Sequence, residues 1–257
     1  SGAEGVTRLN DTPCALALTH SDIDLEQEII QTLTEQRVAA VLLTGATRPN
    51  KDSDERIARY AQALASVQAK LILCAHPHVP TLPDIKAVNC DNPGGVRLLV
   101  QHLVAKGHRR IAFLGWSDTT AANQRFLGYS LGLRDAKLPL EASLVIECAD
   151  DVVGGHLAAL LLLKKPDPPT AIVALNDAVA VGVYRAARDI SISIPKDLAV
   201  TGFGDSPFAT DLTPPLTSIR VPYYEIGRRA AQVAFDPDFT ESRVELPTDL
   251  IVRDSTG

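Results

Sequence analysis

The stretch Val88-Asn89-Cys90-Asp91-Asn92-Pro93-Gly94-Gly95 runs through Gln101-His102-Leu103 to Gly107-His108-Arg109-Arg110-Ile111-Ala112-Phe113-Leu114-Gly115, and it reads as a complete β-α-β half-unit. A strand ends at Cys90. Asp91 or Asn92 caps a helix whose first turn carries Pro93, where a missing backbone N–H does no harm. Apolar side chains then recur at Val96, Leu99, Val100 and Leu103, the spacing of one buried helix face. Gly107 closes that helix, and Arg110 to Gly115 forms a short apolar strand.

Working outward, the same alternation fills the chain. Strand-like runs fall at 14–19, 39–44, 71–75, 88–90, 110–115, 143–148, 171–175 and 198–203. Helical patterns lie near 24–36, 54–68, 93–106, 121–136, 152–164, 177–189 and 222–235. In the first of these, Leu25, Ile29, Ile30 and Leu33 share a face. The longest apolar run, Leu157 to Leu163, reads as a buried helix. Strands alternating with helices of this length mean α/β architecture with parallel sheets and right-handed crossovers. Eight or more strands suit two sheets better than one. Pro-rich spots at 76–83, 165–169 and 213–215 mark connections rather than linkers.

Composition narrows the function classes. The 257 residues are 22% charged and 46% hydrophobic, an ordinary globular balance with room for one large domain or two smaller ones. A net charge of −6 argues against a broad nucleic-acid-binding face. No apolar run approaches the roughly 20 residues of a membrane span, and the polar opening to Asn10 has no apolar secretory core. Cys14, Cys74, Cys90 and Cys148 are far apart without a CxxC pair, which favours free thiols in a cytoplasmic protein. The sequence contains no Met, and Ser1-Gly2-Ala3 reads as an artificial start.

The half-unit resembles the core of the LacI/GalR (lactose-repressor/galactose-repressor) family of transcription regulators, in which a DN…GG…HL…GHRRIAFLG run recurs. Four further segments resemble the family in the right order. They are Ala174-Leu175-Asn176-Asp177, the run from Ile194-Pro195-Lys196-Asp197 to Gly202-Phe203-Gly204-Asp205, Leu216-Thr217-Ser218-Ile219, and the tail Leu246-Pro247-Thr248-Asp249-Leu250-Ile251-Val252-Arg253-Asp254-Ser255-Thr256. The resemblance implies two doubly wound parallel-sheet subdomains of periplasmic-binding-protein-like type, joined by three crossings near Cys90, Val221 and 236–240. One subdomain would hold residues 1–89 plus 223–236, the other 90–221 plus 240–257. The family's helix-turn-helix and hinge helix are absent from this sequence. Its first core strand and most of the following helix are missing too, since residues 4–10 resemble only that helix's end.

Open α/β sheets bind ligands beyond the carboxyl ends of their strands. That rule singles out Ala75-His76, Trp116, Asn176-Asp177 and Asp205, with Arg125 opening a helix after a strand-exit loop. Vicinal hydroxyls need the paired donors and acceptors that Asp, Asn and Arg supply, and an aromatic wall suits a sugar's apolar face. By resemblance, Arg125 corresponds to the family's effector-binding arginine, Asn176 to its binding Asn or Asp, and Asp205 to its hydroxyl-binding carboxylate. Each has a plainer reading: Asp177 as the cap of the next helix, Asp205 as the end of a turn, Arg125 as half of a surface ion pair. Trp116, Phe203 and Tyr223 serve equally as pocket wall or as core. His76 and His78 form an HxH pair with no third ligand in view, so no metal is expected.

Enzyme motifs are lacking: there is no GxSxG elbow, no Walker loop and no GxGxxG. The expected function is therefore that of an effector-sensing, homodimerising domain of a LacI-family regulator, with operator DNA bound only by the full-length protein. No cofactor, metal, membrane or catalytic role is expected. The effector is a small molecule, and hexose, pentose, sugar acid and nucleoside all fit. It would bridge two lobes and favour their closed arrangement. The alternative is a periplasmic sugar-binding protein of the same fold, which would carry a signal peptide and lack the closing LPTDLIVRDST segment.

Overall fold

Local signals set the elements. Asp91 Oδ1 accepts the Gly94 N–H at 2.7 Å, so a helix starts directly behind the strand that ends at Cys90. Asn50, Asp151 and Asn176 cap three other helices in the same way, each side chain accepting a backbone N–H three residues on.

The computed structural model describes every residue except 1, 20, 21, 46, 47 and 49. In chain order it contains α1 (Gly2–Leu9), α2 (Ile23–Glu35), β1 (Ala40–Thr44), α3 (Lys51–Ala65), β2 (Lys70–Cys74), β3 (Lys86–Cys90), α4 (Asn92–Ala105), β4 (Ile111–Trp116) and α5 (Thr120–Asp135). There follow β5 (Val145–Glu147), α6 (Val152–Leu163), β6 (Ala171–Ala174), α7 (Asp177–Asp189), β7 (Ala199–Gly204), β8 (Thr217–Arg220), α8 (Tyr223–Phe235), β9 (Arg243–Leu246) and β10 (Asp249–Ile251).

The chain divides into two compact units. The first contains Ser1–Cys90, Thr119–Ala121 and Pro222–Pro247, with a parallel sheet in the order β1-β2-β3-β9. Its core joins Ile57, Tyr60 and Leu64 of α3 to Leu71 and Leu73 of β2. The second contains Asp91–Asp118, Ala122–Val221 and Thr248–Gly257, with six strands in the order β10-β8-β7-β6-β4-β5. All its pairs are parallel except β10 on β8, an antiparallel edge. Every residue of β6 and β7 is buried, as a sheet covered on both faces requires. The α/β class with two parallel sheets is the one expected.

Within the second unit, α5 approaches α4 closely. A Cβ at Gly128 would overlap the carbonyl of Pro93, backbone that no side-chain rotation relieves. Val96, Leu99, Val100 and Leu103 of α4 are all buried, as their spacing requires. The tail is bound by hydroxyls: Ser255 Oγ donates to Val200 O at 2.6 Å and accepts Thr217 N–H at 2.8 Å, while His102 Nε2 meets Thr256 Oγ1 at 2.8 Å.

Three expectations are corrected. Residues 14–19 form no strand: Cys14, Leu16 and Leu18 are exposed, and no ladder among the described residues includes them. A short apolar run is compatible with a strand, but only pairing makes one. The tail is not one closing strand in one subdomain. Pro247, which has no N–H to donate, divides it into β9, paired with β3 in the first sheet, and β10, paired with β8 in the second. The last passage between units thus follows Pro247 rather than residues 236–240. Finally, α6 is only half buried. Gly155, Ala158, Ala159, Leu162 and Leu163 face inward, whereas Val153, Leu157 and Leu161 are 61%, 56% and 72% exposed.

Candidate functional site

Because β4, β6, β7 and β8 run parallel, the residues leaving them line one edge of the six-stranded sheet: Trp116, Leu175-Asn176, Asp205 and Arg220. Arg125, in the first half of α5, reaches this edge. Its Nε donates to Asn92 Oδ1 at 2.9 Å and a terminal nitrogen donates to Leu175 O at 2.9 Å. The guanidinium carbon lies 3.9 Å from the centroid of the Phe203 ring, within cation–π range. Asn92 is itself held by donating to Gln124 Oε1 at 3.1 Å. Arg125 is thus anchored from α4, from the exit of β6 and from β7.

The cap of α7 is Asn176 and not Asp177. Asn176 Oδ1 accepts Val179 N–H at 2.9 Å and its Nδ2 donates to Asp150 O at 3.2 Å. Asp177, 1% exposed, turns inward. Its Oδ1 accepts Ser218 Oγ–H at 2.6 Å and its Oδ2 accepts Ser206 N–H at 2.6 Å. Gly202 leaves room for this, because a Cβ there would overlap Asp177 Oδ1 and lie 2.8 Å from Leu216 Cδ2.

Asp205 has φ +51°, a left-handed conformation that Asp tolerates better than most residues. Its N–H donates to Ser218 Oγ at 3.1 Å, the hydroxyl that Asp177 fixes. Its carboxylate is enclosed by two guanidiniums: Arg220 contacts Oδ2 from Nε at 2.8 Å and from a terminal nitrogen at 2.7 Å, and Arg253 contacts Oδ1 at 2.6 Å.

Phe203 is buried and carries Arg125 on its face. Trp116 is half-buried at a bulge ending β4. Tyr223 and His76 belong to the other unit. Tyr223 is exposed at the start of α8. His76 is buried, its Nδ1 2.6 Å from Pro77 O, and burial holds its pKa below the usual histidine value. Sequence reading missed Asn92, Arg220, Arg253 and Ser218. Asn92 was visible as a polar residue leaving β3, but it read only as a helix cap. Among the described residues no cluster of three His, Cys, Asp or Glu side chains suits a metal, and no helix is long and apolar enough to cross a membrane.

A pair of parallel-sheet α/β units, with polar residues gathered where the strands end, defines the periplasmic-binding-protein-like class. A family model for the periplasmic binding protein-like domain matches residues 100–256. The ribose operon repressor of Escherichia coli (strain K12) is 31% identical over 253 residues, covering 93% of this chain and 72% of that protein. Among solved structures, the transcriptional regulator CelR in complex with cellobiose superposes with a TM-score of 0.86 at 30% identity, covering 99% of this chain and 76% of that one. A LacI-family regulatory protein from Chloroflexus aggregans gives 0.80 at 28% identity, covering 99% and 91%. The chain belongs to the LacI/GalR family of transcriptional regulators, and it forms the effector-sensing part of one.

Proposed function

We propose that this chain senses a sugar or sugar-like small molecule on behalf of a cytoplasmic repressor, without catalysing a reaction. The observation that carries the reading is the three-sided anchoring of Arg125 at the strand-exit edge. A guanidinium fixed in place before a ligand arrives binds it with little further loss of side-chain freedom. The similar proteins named for ribose and cellobiose support the effector class. In this reading Arg125 contacts the effector, Phe203 backs the guanidinium, Trp116 supplies apolar surface, and Asn176, Asp177 and Asp205 shape the edge. A thermal-shift screen against sugars, sugar acids, sugar phosphates and purines tests it: a ligand at free concentration L that binds the folded state stabilises it by RT ln(1 + L/Kd) and so raises the melting temperature.

The working form in this reading is a homodimer. The early helices offer Ile23 and Leu25, which are exposed on α2, and α6 adds the stripe of Val153, Leu157 and Leu161 one turn apart. Apolar stripes of this kind are covered in working assemblies, and a two-fold pair is the commonest one. Operator recognition is assigned to the full-length protein. A net charge of −6 over these residues provides no broad basic face for a DNA backbone.

A further inference from the structure

We infer that the effector carries an oxyanion, a carboxylate or a phosphate, and that Arg220 selects it; the inference rests on the effector-sensing reading and specifies its ligand. A carboxylate at a strand exit would ordinarily accept a neutral sugar's hydroxyls. Here Asp205 has both oxygens occupied, and its side chain is only 6% exposed. Arg253 is largely buried, with another of its nitrogens donating to Leu216 O at 2.7 Å. The group this cluster presents to solvent is therefore Arg220, 55% exposed.

Asp205, Arg220 and Arg253 together carry one net positive charge, and Asp249 sits opposite Arg220 across the β10–β8 pair. Asp205 engages the Nε side of Arg220 and leaves the NH1–NH2 edge for a ligand. That edge matches the paired oxygens of a carboxylate or phosphate. Asp205 thus acts as the positioning residue for Arg220, and it is fixed in turn by Ser218 and Asp177.

Isothermal titration of the whole chain with matched triplets tests this: glucose, gluconate and glucose 6-phosphate; ribose, ribonate and ribose 5-phosphate; galactose, galactonate and galactose 1-phosphate. In at least one triplet an anion should bind 10-fold or more tightly than its neutral parent, and the carboxylate and phosphate arms identify which oxyanion is used. Arg220→Gln, which keeps a donor for Asp205, should collapse that preference, and Arg220→Lys should restore part of it. A neutral sugar binding as tightly as both of its anions overturns the inference while leaving effector sensing intact. So does an anion preference that Arg220→Gln leaves unaltered in a folded protein. Binding by no member of any triplet contradicts both readings.

Discussion

Ser218 Oγ donates to Asp177 Oδ1 at 2.6 Å while accepting the backbone N–H of Asp205, so one hydroxyl couples the start of α7 to the left-handed turn that ends β7. Asp177 completes the arrangement by accepting Ser206 N–H. Removing this carboxylate leaves one buried donor, the Ser218 hydroxyl, and one part-buried donor, the Ser206 N–H, without their acceptor. Asp177→Ala should therefore lower unfolding stability by about 2–4 kcal/mol, read from the urea midpoint, and Asp177→Asn should lose less. An unchanged midpoint for the alanine variant would show that the turn does not depend on it.

Close helix packing makes a second, steric prediction. At Gly128 an added methyl meets the Pro93 carbonyl, and at Gly202 it meets Asp177. Either Gly→Ala change should cost about 1–3 kcal/mol through overpacking, even though alanine is the better helix former at Gly128. Stability equal to or above that of the wild type at Gly128 would contradict the observed approach of α5 to α4.

The α-β-α rhythm was legible because helix faces such as Val96–Leu99–Val100–Leu103 repeat at helical spacing, and buried strands such as Ala171–Ala174 are uniformly apolar. Asp205 was legible as a residue at a strand exit, Arg125 through the family resemblance, and Phe203 only as pocket wall or core. What sequence could not supply were the partners. Arg253 meets Asp205 from 48 residues away and Ser218 meets Asp177 from 41, and no local pattern encodes such pairs. The same limit explains the error at 14–19, where a short apolar run was strand-like and the pairing was not there. It also explains why Asn176, rather than Asp177, caps α7: only the folded turn at Ser206 reveals what Asp177 is needed for.

Acid should destabilise the protein before its carboxylates titrate. Burial is the first cause holding the pKa values of His76, His102 and His108 below the usual value. Their neutral forms are therefore favoured in the folded state, while the unfolded chain takes up protons from about pH 6.5 downward. The associated stability is complete above that pH and is lost as pH falls toward the folded-state values. The urea midpoint should drop between pH 7.5 and pH 5.5, and His102→Gln should flatten the drop. A midpoint that rises on acidification would contradict the burial of these rings.

Assembly is tested at α6. Sedimentation at micromolar concentration should give a two-chain species for the wild type, and Leu157→Glu with Leu161→Glu should shift it to single chains without altering the circular dichroism spectrum. A wild type that sediments as one chain would remove the homodimer from the account.

The central claim is that the strand-exit edge of the six-stranded sheet binds the effector through Arg125. The most direct measurement is calorimetric titration of wild type and Arg125→Ala with the tightest ligand from the screen, both proteins first shown to be folded. The account predicts saturable one-site binding by the wild type and a loss of about 10-fold or more in Arg125→Ala, the ~1.5–3 kcal/mol of a hydrogen bond to a charged group. Equal affinity in the two proteins would place the effector elsewhere and contradict the claim.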